Sequence, residues 1–262
     1  VVALAEQLCR PGNPTYATNE PSVRYSPYSL ALAATSRWAS VDSFTVMSAA
    51  AVVNTALMVV GLYLFMRAFG EKQAAAATLV VSVVLWGGPP GYANSYALCD
   101  LPWMQMNPSA FSMGLNLLVW TALASGRSRS WPSRLGLGLV MAIAMLSHPM
   151  TGVFGIGALF VLAATSPTDR WPGLAAATAT AAIALVFCLI WPWYDFLAAA
   201  RANHDVAYWF NGYILHSMYL SWCIPAFLLI VAALPYHREP LIRICLWEAT
   251  VFLALGLASY VV

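Results

Sequence analysis

Long uninterrupted apolar runs, not a short alternation of apolar and polar positions, organise this chain. The first runs from Phe44 to Met66 without a charged residue, just after Ser40, Asp42 and Ser43, which offer helix N-caps. As a helix it is long enough to cross about 30 Å of hydrocarbon. A shorter run from Gln73 to Gly87 stops at Gly87-Gly-Pro-Pro-Gly91, a helix-breaking stretch. The third covers Ser109 to Ser125. Leu135 to Thr165 is too long for one helix and barely long enough for two, and His148-Pro149 divides it. Proline disfavours helical geometry in the residue before it, which predicts two short helices meeting at a tight turn. A single kinked helix is the alternative. Leu174 to Trp191, Ser217 to Leu234 and Ile244 to Val262 complete about eight apolar segments.

Composition turns these runs into a class. Of 262 residues, 61% are hydrophobic and 8% charged, where soluble domains carry roughly 25% charged residues. So much apolar surface cannot be hidden inside a globule of this size, and much of it must face lipid. The sequence therefore predicts an all-α, polytopic transmembrane helix bundle that partners the lipid bilayer. A net charge of +2 gives no ground for nucleic-acid binding. Val1 and Val262 both read as interior positions of a longer chain, with at least one helix upstream.

Charge placement then orients the segments. If they alternate, Arg67, Lys72, Arg127, Arg129, Arg134, Arg170, Arg238 and Arg243 all fall in short loops on one face, which the positive-inside rule assigns to the cytoplasm. The opposite, external face holds Glu6, Glu20, Asp42, Asp100, Asp195 and Asp205 among few basic residues. Its connections, residues 1–43, 88–108 and 192–216, are long and rich in Trp, Tyr, Pro and Asn. Long connections of this kind usually carry function. No repeat or linker divides the chain. Residues 1–262 are read as one transmembrane domain: an external loop over 1–43 with an interfacial helix from Leu30 to Trp38, then a bundle over 44–262.

Soluble-enzyme signatures and metal-ligand spacings are absent, so no metal site is read. A divalent cation is the one cofactor left open. Cys188, Cys223 and Cys245 lie in apolar runs as small hydrophobes, while Cys9 and Cys99 share the external face and could pair. Candidate chemistry gathers outside. Arg24 and Tyr28, an arginine and an aromatic at headgroup depth, suit a phosphate; an arginine snorkelling to water is the plainer reading. Asp100, alone in its loop, is a candidate base or a turn residue. His148 either binds a phosphate or caps its turn. Arg201 shares a helix face with His204 and Asp205 at spacings of three and four, amid aromatics that suit an interfacial belt or a groove wall. Glu248 is shallow enough to reach the headgroups.

The order of several short stretches resembles the polytopic glycosyltransferases of the GT-C superfamily. These are Pro11-Gly-Asn-Pro and Tyr25-Ser-Pro-Tyr-Ser before a long helix, Trp86-Gly-Gly closing a short one, Asn107-Pro-Ser-Ala-Phe-Ser-Met-Gly-Leu115 opening another, and Leu146-Ser-His-Pro149 between two short helices. The resemblance implies a multi-pass protein of a bacterial inner membrane, with its N-terminal loop external. It implies transfer of a sugar from a polyprenyl-phosphate donor. A carboxylate, Glu20 or Asp100 or one upstream of Val1, would deprotonate the acceptor hydroxyl. Arg24, Tyr28, His148, Arg201, His204 and Asp205 would bind the substrate, the arginines and histidines among them holding the charge of the leaving lipid phosphate. Two rivals remain: a non-catalytic subunit packed against partner membrane subunits, and a transporter, disfavoured because mid-membrane ionisable groups are almost absent.

Overall fold

In a computed structural model, residues 25–69, 106–128, 130–166, 170–199, 231, 233–239, 242–247 and 250 are described. Among them every regular element is helical: α1 (Pro27–Trp38), α2 (Ser43–Arg67), α3 (Pro108–Ala124), α4 (Trp131–Ser147), α5 (Pro149–Thr165) and α6 (Arg170–Leu189). A 3₁₀ turn (Leu234–Tyr236) precedes a helical stretch at 242–247. The apolar segments Gln73 to Gly87 and most of Ser217 to Leu234 and Ile244 to Val262 lie outside the described residues.

The helices begin where capping chemistry places them. Asp42 caps α2 by accepting from Phe44 N and Thr45 N, each at 3.0 Å, and from the Thr45 hydroxyl. Those bonds, the Thr45 hydroxyl foremost, hold its carboxyl below the usual carboxylate range. Ser26 caps α1 and Ser130 caps α4, each with proline in the first turn, where a missing N–H costs nothing. His148 stands in extended conformation (φ −150°, ψ 93°) between α4 and α5, ending one helix and capping the next. The Leu135 to Thr165 stretch is thus two helices.

Side-chain pairing fixes the directions. Gly114 faces Leu57 and Gly61 faces Leu117, so α2 and α3 run parallel and close together. Asn116 Nδ2 donates to Thr151 O (2.7 Å) and Trp120 Nε1 to Gly155 O (2.9 Å), so α5 runs parallel to α3. Ser112 Oγ donates to Ala144 O (2.9 Å) from the antiparallel α4. Gly138 meets Ile183 and Cys188 lies near Ala142, aligning α6 with α4. The bundle therefore has two ends. Arg67, Arg127, Arg134 and Arg170 gather at one, where Arg243 Nη2 also donates to Thr165 O at 2.6 Å. The other end carries α1, the His148 turn and the aromatics after α6.

α1 folds back along the start of α2 as a hairpin. The Ser36 and Ser43 hydroxyls meet at 3.1 Å near the turn, and Asn54 Nδ2 reaches Tyr28 Oη at 2.9 Å eleven positions further along α2. The buried core is largely apolar and includes Met141, Leu159 and Val119, yet some polar groups are buried and many apolar ones lie outside. Asn54, Ser112, Asn116 and Thr180 are buried, while Val52 (70% exposed), Val53 and Val60 of α2, Leu135, Leu139 and Ile143 of α4, Val186 of α6 and Ile190 just after it are exposed. α2 and α6 are long and apolar enough to cross a membrane, and the 17-residue α3, α4 and α5 are shorter apolar helices.

Candidate functional site

Three distant parts of the chain are tied together at the aromatic end. Tyr28 is the hub. Its ring packs on Phe111 with centroids 4.9 Å apart, its Oη accepts from Asn54 and donates to Met106 O at 3.1 Å, and its backbone N–H donates to Ser147 Oγ at 3.3 Å. Ser147 ends α4 immediately before His148. From the third part, Trp191 Nε1 donates to Tyr25 O at 3.1 Å, Trp193 stacks on the Tyr25 ring at 5.3 Å, and Tyr194 Oη donates to Leu146 O at 2.9 Å. Burial pushes the hydroxyls of Tyr25, Tyr28 and Tyr194 above the ordinary tyrosine value, with the Asn54 bond opposing part of the effect at Tyr28. These tyrosines act as neutral hydrogen-bonding groups.

His148 has a defined polarity. Its Nδ1 accepts from Thr151 N at 3.3 Å and lies 2.7 Å from Thr151 Oγ1. An accepting Nδ1 assigns the imidazole proton to Nε2. Burial lowers the pKa below the ordinary histidine value, so the ring is neutral at pH 7 and Nε2–H has no acceptor among the described residues. As a phosphate ligand His148 would therefore serve as a hydrogen-bond donor and not as a cation.

Beside Tyr28 runs an apolar groove of about 610 Å³, walled by α1 and the first half of α2 and reaching Phe111 and Ile143. Its polar lining consists of Tyr28 and Asn54, both buried, and of Thr35 and Thr45 nearer the α1–α2 turn.

No protein-family model, curated protein or solved structure matches the chain. The site stands on its own residues. Of the positions singled out in the sequence, Tyr28 and His148 belong to it, one as its hub and the other beside Ser147. Glu20, Arg24, Asp100, Arg201, His204 and Asp205 lie outside the described residues, as do Cys9, Cys99 and Glu248. Among the described residues no three His, Cys, Asp or Glu side chains form a metal-binding group. Both described carboxylates at this end are engaged as helix caps: Asp42 on α2, and Asp195 accepting from Leu197 N (2.9 Å) and Ala198 N (3.0 Å). Asn54, Ser147 and Thr151 did not stand out in the sequence. A lone asparagine in the middle of the Phe44 to Met66 run is the signal that could have found the first.

Proposed function

We propose that the chain is a multi-pass membrane protein that binds a polyprenyl-phosphate sugar donor at its aromatic end and transfers the sugar there, as the GT-C resemblance implies. The membrane part rests on two helices of spanning length and on the exposed apolar side chains along them. Under this reading the remaining apolar runs also span, to about eight segments. The arginine end faces the cytoplasm of a bacterial inner membrane, and the N-terminal loop with α1 lies outside.

One observation carries the functional part. Tyr25 and Tyr28, the Ser147-His148 turn, and Trp191 to Tyr194 are bound into one cluster. In the sequence Arg24 adjoins the first of these, and Arg201, His204 and Asp205 follow the last. The groove beside Tyr28 has the apolar character that a prenyl chain needs, and His148 Nε2–H supplies a donor for the phosphate. A carboxylate, Glu20, Asp100 or one upstream, removes the acceptor's proton. The hydroxyl then attacks the anomeric carbon, and the lipid phosphate departs with the bonding pair.

Photocrosslinking of the purified chain with a benzophenone-bearing polyprenyl phosphate tests this reading. Capture should be competed by free polyprenyl phosphate and not by the polyprenol of equal length. Equal competition by the alcohol would remove the phosphate site.

The capping of Asp42 and Asp195 favours a second reading, a non-catalytic subunit of a membrane complex, because both described carboxylates at this end already serve as helix caps. Persistent co-purification with other chains supports it, and a stable lone polypeptide in detergent counts against it.

A further inference from the structure

The turn between α3 and α4, at the arginine end, is tied by hydrogen bonds and carries Arg127 and Arg134, neither of which pairs with an acid among the described residues. Gly126 (φ 68°) closes α3, letting Arg127 N donate to Ala122 O at 2.9 Å and Gly126 N to Leu123 O at 3.0 Å. Ser133 Oγ then donates to Arg127 O at 2.6 Å, and Arg134 Nε to Ser128 O at 3.0 Å. Ser128 itself is buried. Arg134 is therefore anchored through Nε, while its two terminal nitrogens make no bond to another described residue. Arg127, exposed on the same turn, makes no side-chain bond to one either.

Among the described residues no acid pairs with either arginine. The first turn of α4 holds no acid, and residues 101–168 contain no Asp or Glu. α4 also begins here, so the positive end of its dipole adds to the two guanidinium groups. Trp131, 63% exposed, stands one helical turn from Arg134, and Trp171 is 75% exposed at the start of the neighbouring α6. Exposed tryptophans at one level of a membrane protein mark headgroup depth.

Resting on the membrane reading above, we infer that this turn seats the headgroup of an anionic phospholipid. The free fork of Arg134 pairs with the phosphate, for whose geometry a planar guanidinium is suited. Arg127 supplies the second cation, and Trp131 lies against the glycerol region. A zwitterionic lipid brings its own ammonium, which repels Arg127 and cancels the complementarity, so selectivity for net negative charge follows.

Native mass spectrometry of the full chain in detergent, titrated with phosphatidylglycerol or phosphatidylcholine, tests the inference. One phosphatidylglycerol should bind at least tenfold more tightly than phosphatidylcholine, and the preference should disappear in the Arg127→Gln/Arg134→Lys double variant. The lysine keeps the charge and can still reach the Ser128 carbonyl, so a folded variant is retained. Equal binding of the two lipids by the wild type overturns the inference, as does a preference that survives the substitutions. Full competition by millimolar inorganic phosphate also overturns it, making the turn a soluble-anion site. Flotation with phosphatidylcholine vesicles separates the two levels. A chain that does not float refutes the membrane reading, whereas one that floats without lipid preference refutes only the headgroup site.

Discussion

Trp191 donates its indole proton to the main-chain carbonyl of Tyr25, 166 residues earlier in the chain, and thereby ties the segment after α6 to the segment before α1. Stacking of Trp193 on Tyr25 makes this a two-point attachment. Trp191→Phe keeps most of the apolar ring and removes the donor. It should cost about 1 kcal/mol and speed amide exchange in residues 25–33 without abolishing the fold. Unchanged exchange there would mean that the attachment does not hold the two segments together.

Tyr28 and Asn54 should be coupled energetically. Tyr28→Phe, Asn54→Ala and the double variant form a cycle in which the interaction is expected at about 0.6 kcal/mol, the average for side-chain hydrogen bonds between membrane helices. Thermal unfolding in detergent gives the four values. Simple additivity would show the bond at 2.9 Å to be without energetic consequence.

His148 predicts an acid-sensitive stability. Burial holds its pKa below the 6.5 of an unfolded chain, so below that pH the unfolded state binds more protons than the folded one. Stability is present in full above pH 6.5 and declines as the pH falls towards the folded-state value. His148→Asn keeps an acceptor for Thr151 N, since asparagine is a good N-cap, but has nothing to titrate. The loss of Tm between pH 7.5 and 5.5 should be smaller in the variant. Equal losses would place the sensitivity elsewhere.

Two glycines separate packing from helix propensity. A Cβ on Gly155 would overlap the Asn116 amide, whereas one on Gly136 meets nothing within 4 Å. Gly155→Ala should destabilise by about 1–3 kcal/mol through overpacking. Gly136→Ala should stabilise by up to about 1 kcal/mol through helix propensity. Similar Tm shifts of the same sign would contradict the close α3–α5 contact.

How much of this was legible depends on what each residue signals locally. The Phe44 to Met66 run differs from α2 by one residue at each end, because Asp42 announces the start and Arg67 follows the last apolar position. His148-Pro149 divided two helices for a steric reason that acts on neighbours in sequence. α1, α4 and α6 begin three or four residues before the apolar runs that predicted them, since Ser26-Pro27, Ser130 and Arg170 belong to the helix starts but not to hydrophobic periodicity. In the candidate site, Tyr28 stood out as an aromatic beside an arginine. Its partners did not: Asn54, Ser147 and the Met106 carbonyl are distant in sequence, and only the helix packing decides which polar groups meet.

The pairing of α3 with α5 is repetitive in itself. Asn116 and Trp120 are four apart, as are the carbonyls of Thr151 and Gly155 that receive them. A helix offers an equivalent row of carbonyls after every turn of about 5.4 Å. Hydrogen bonding alone would therefore accept α5 displaced by one turn. The bare backbone at Gly155 is what distinguishes the settings, because a one-turn slide would bring Leu159 or Thr151 against the Asn116 amide. In this helix pair the donors supply adhesion and an absent side chain supplies the index mark.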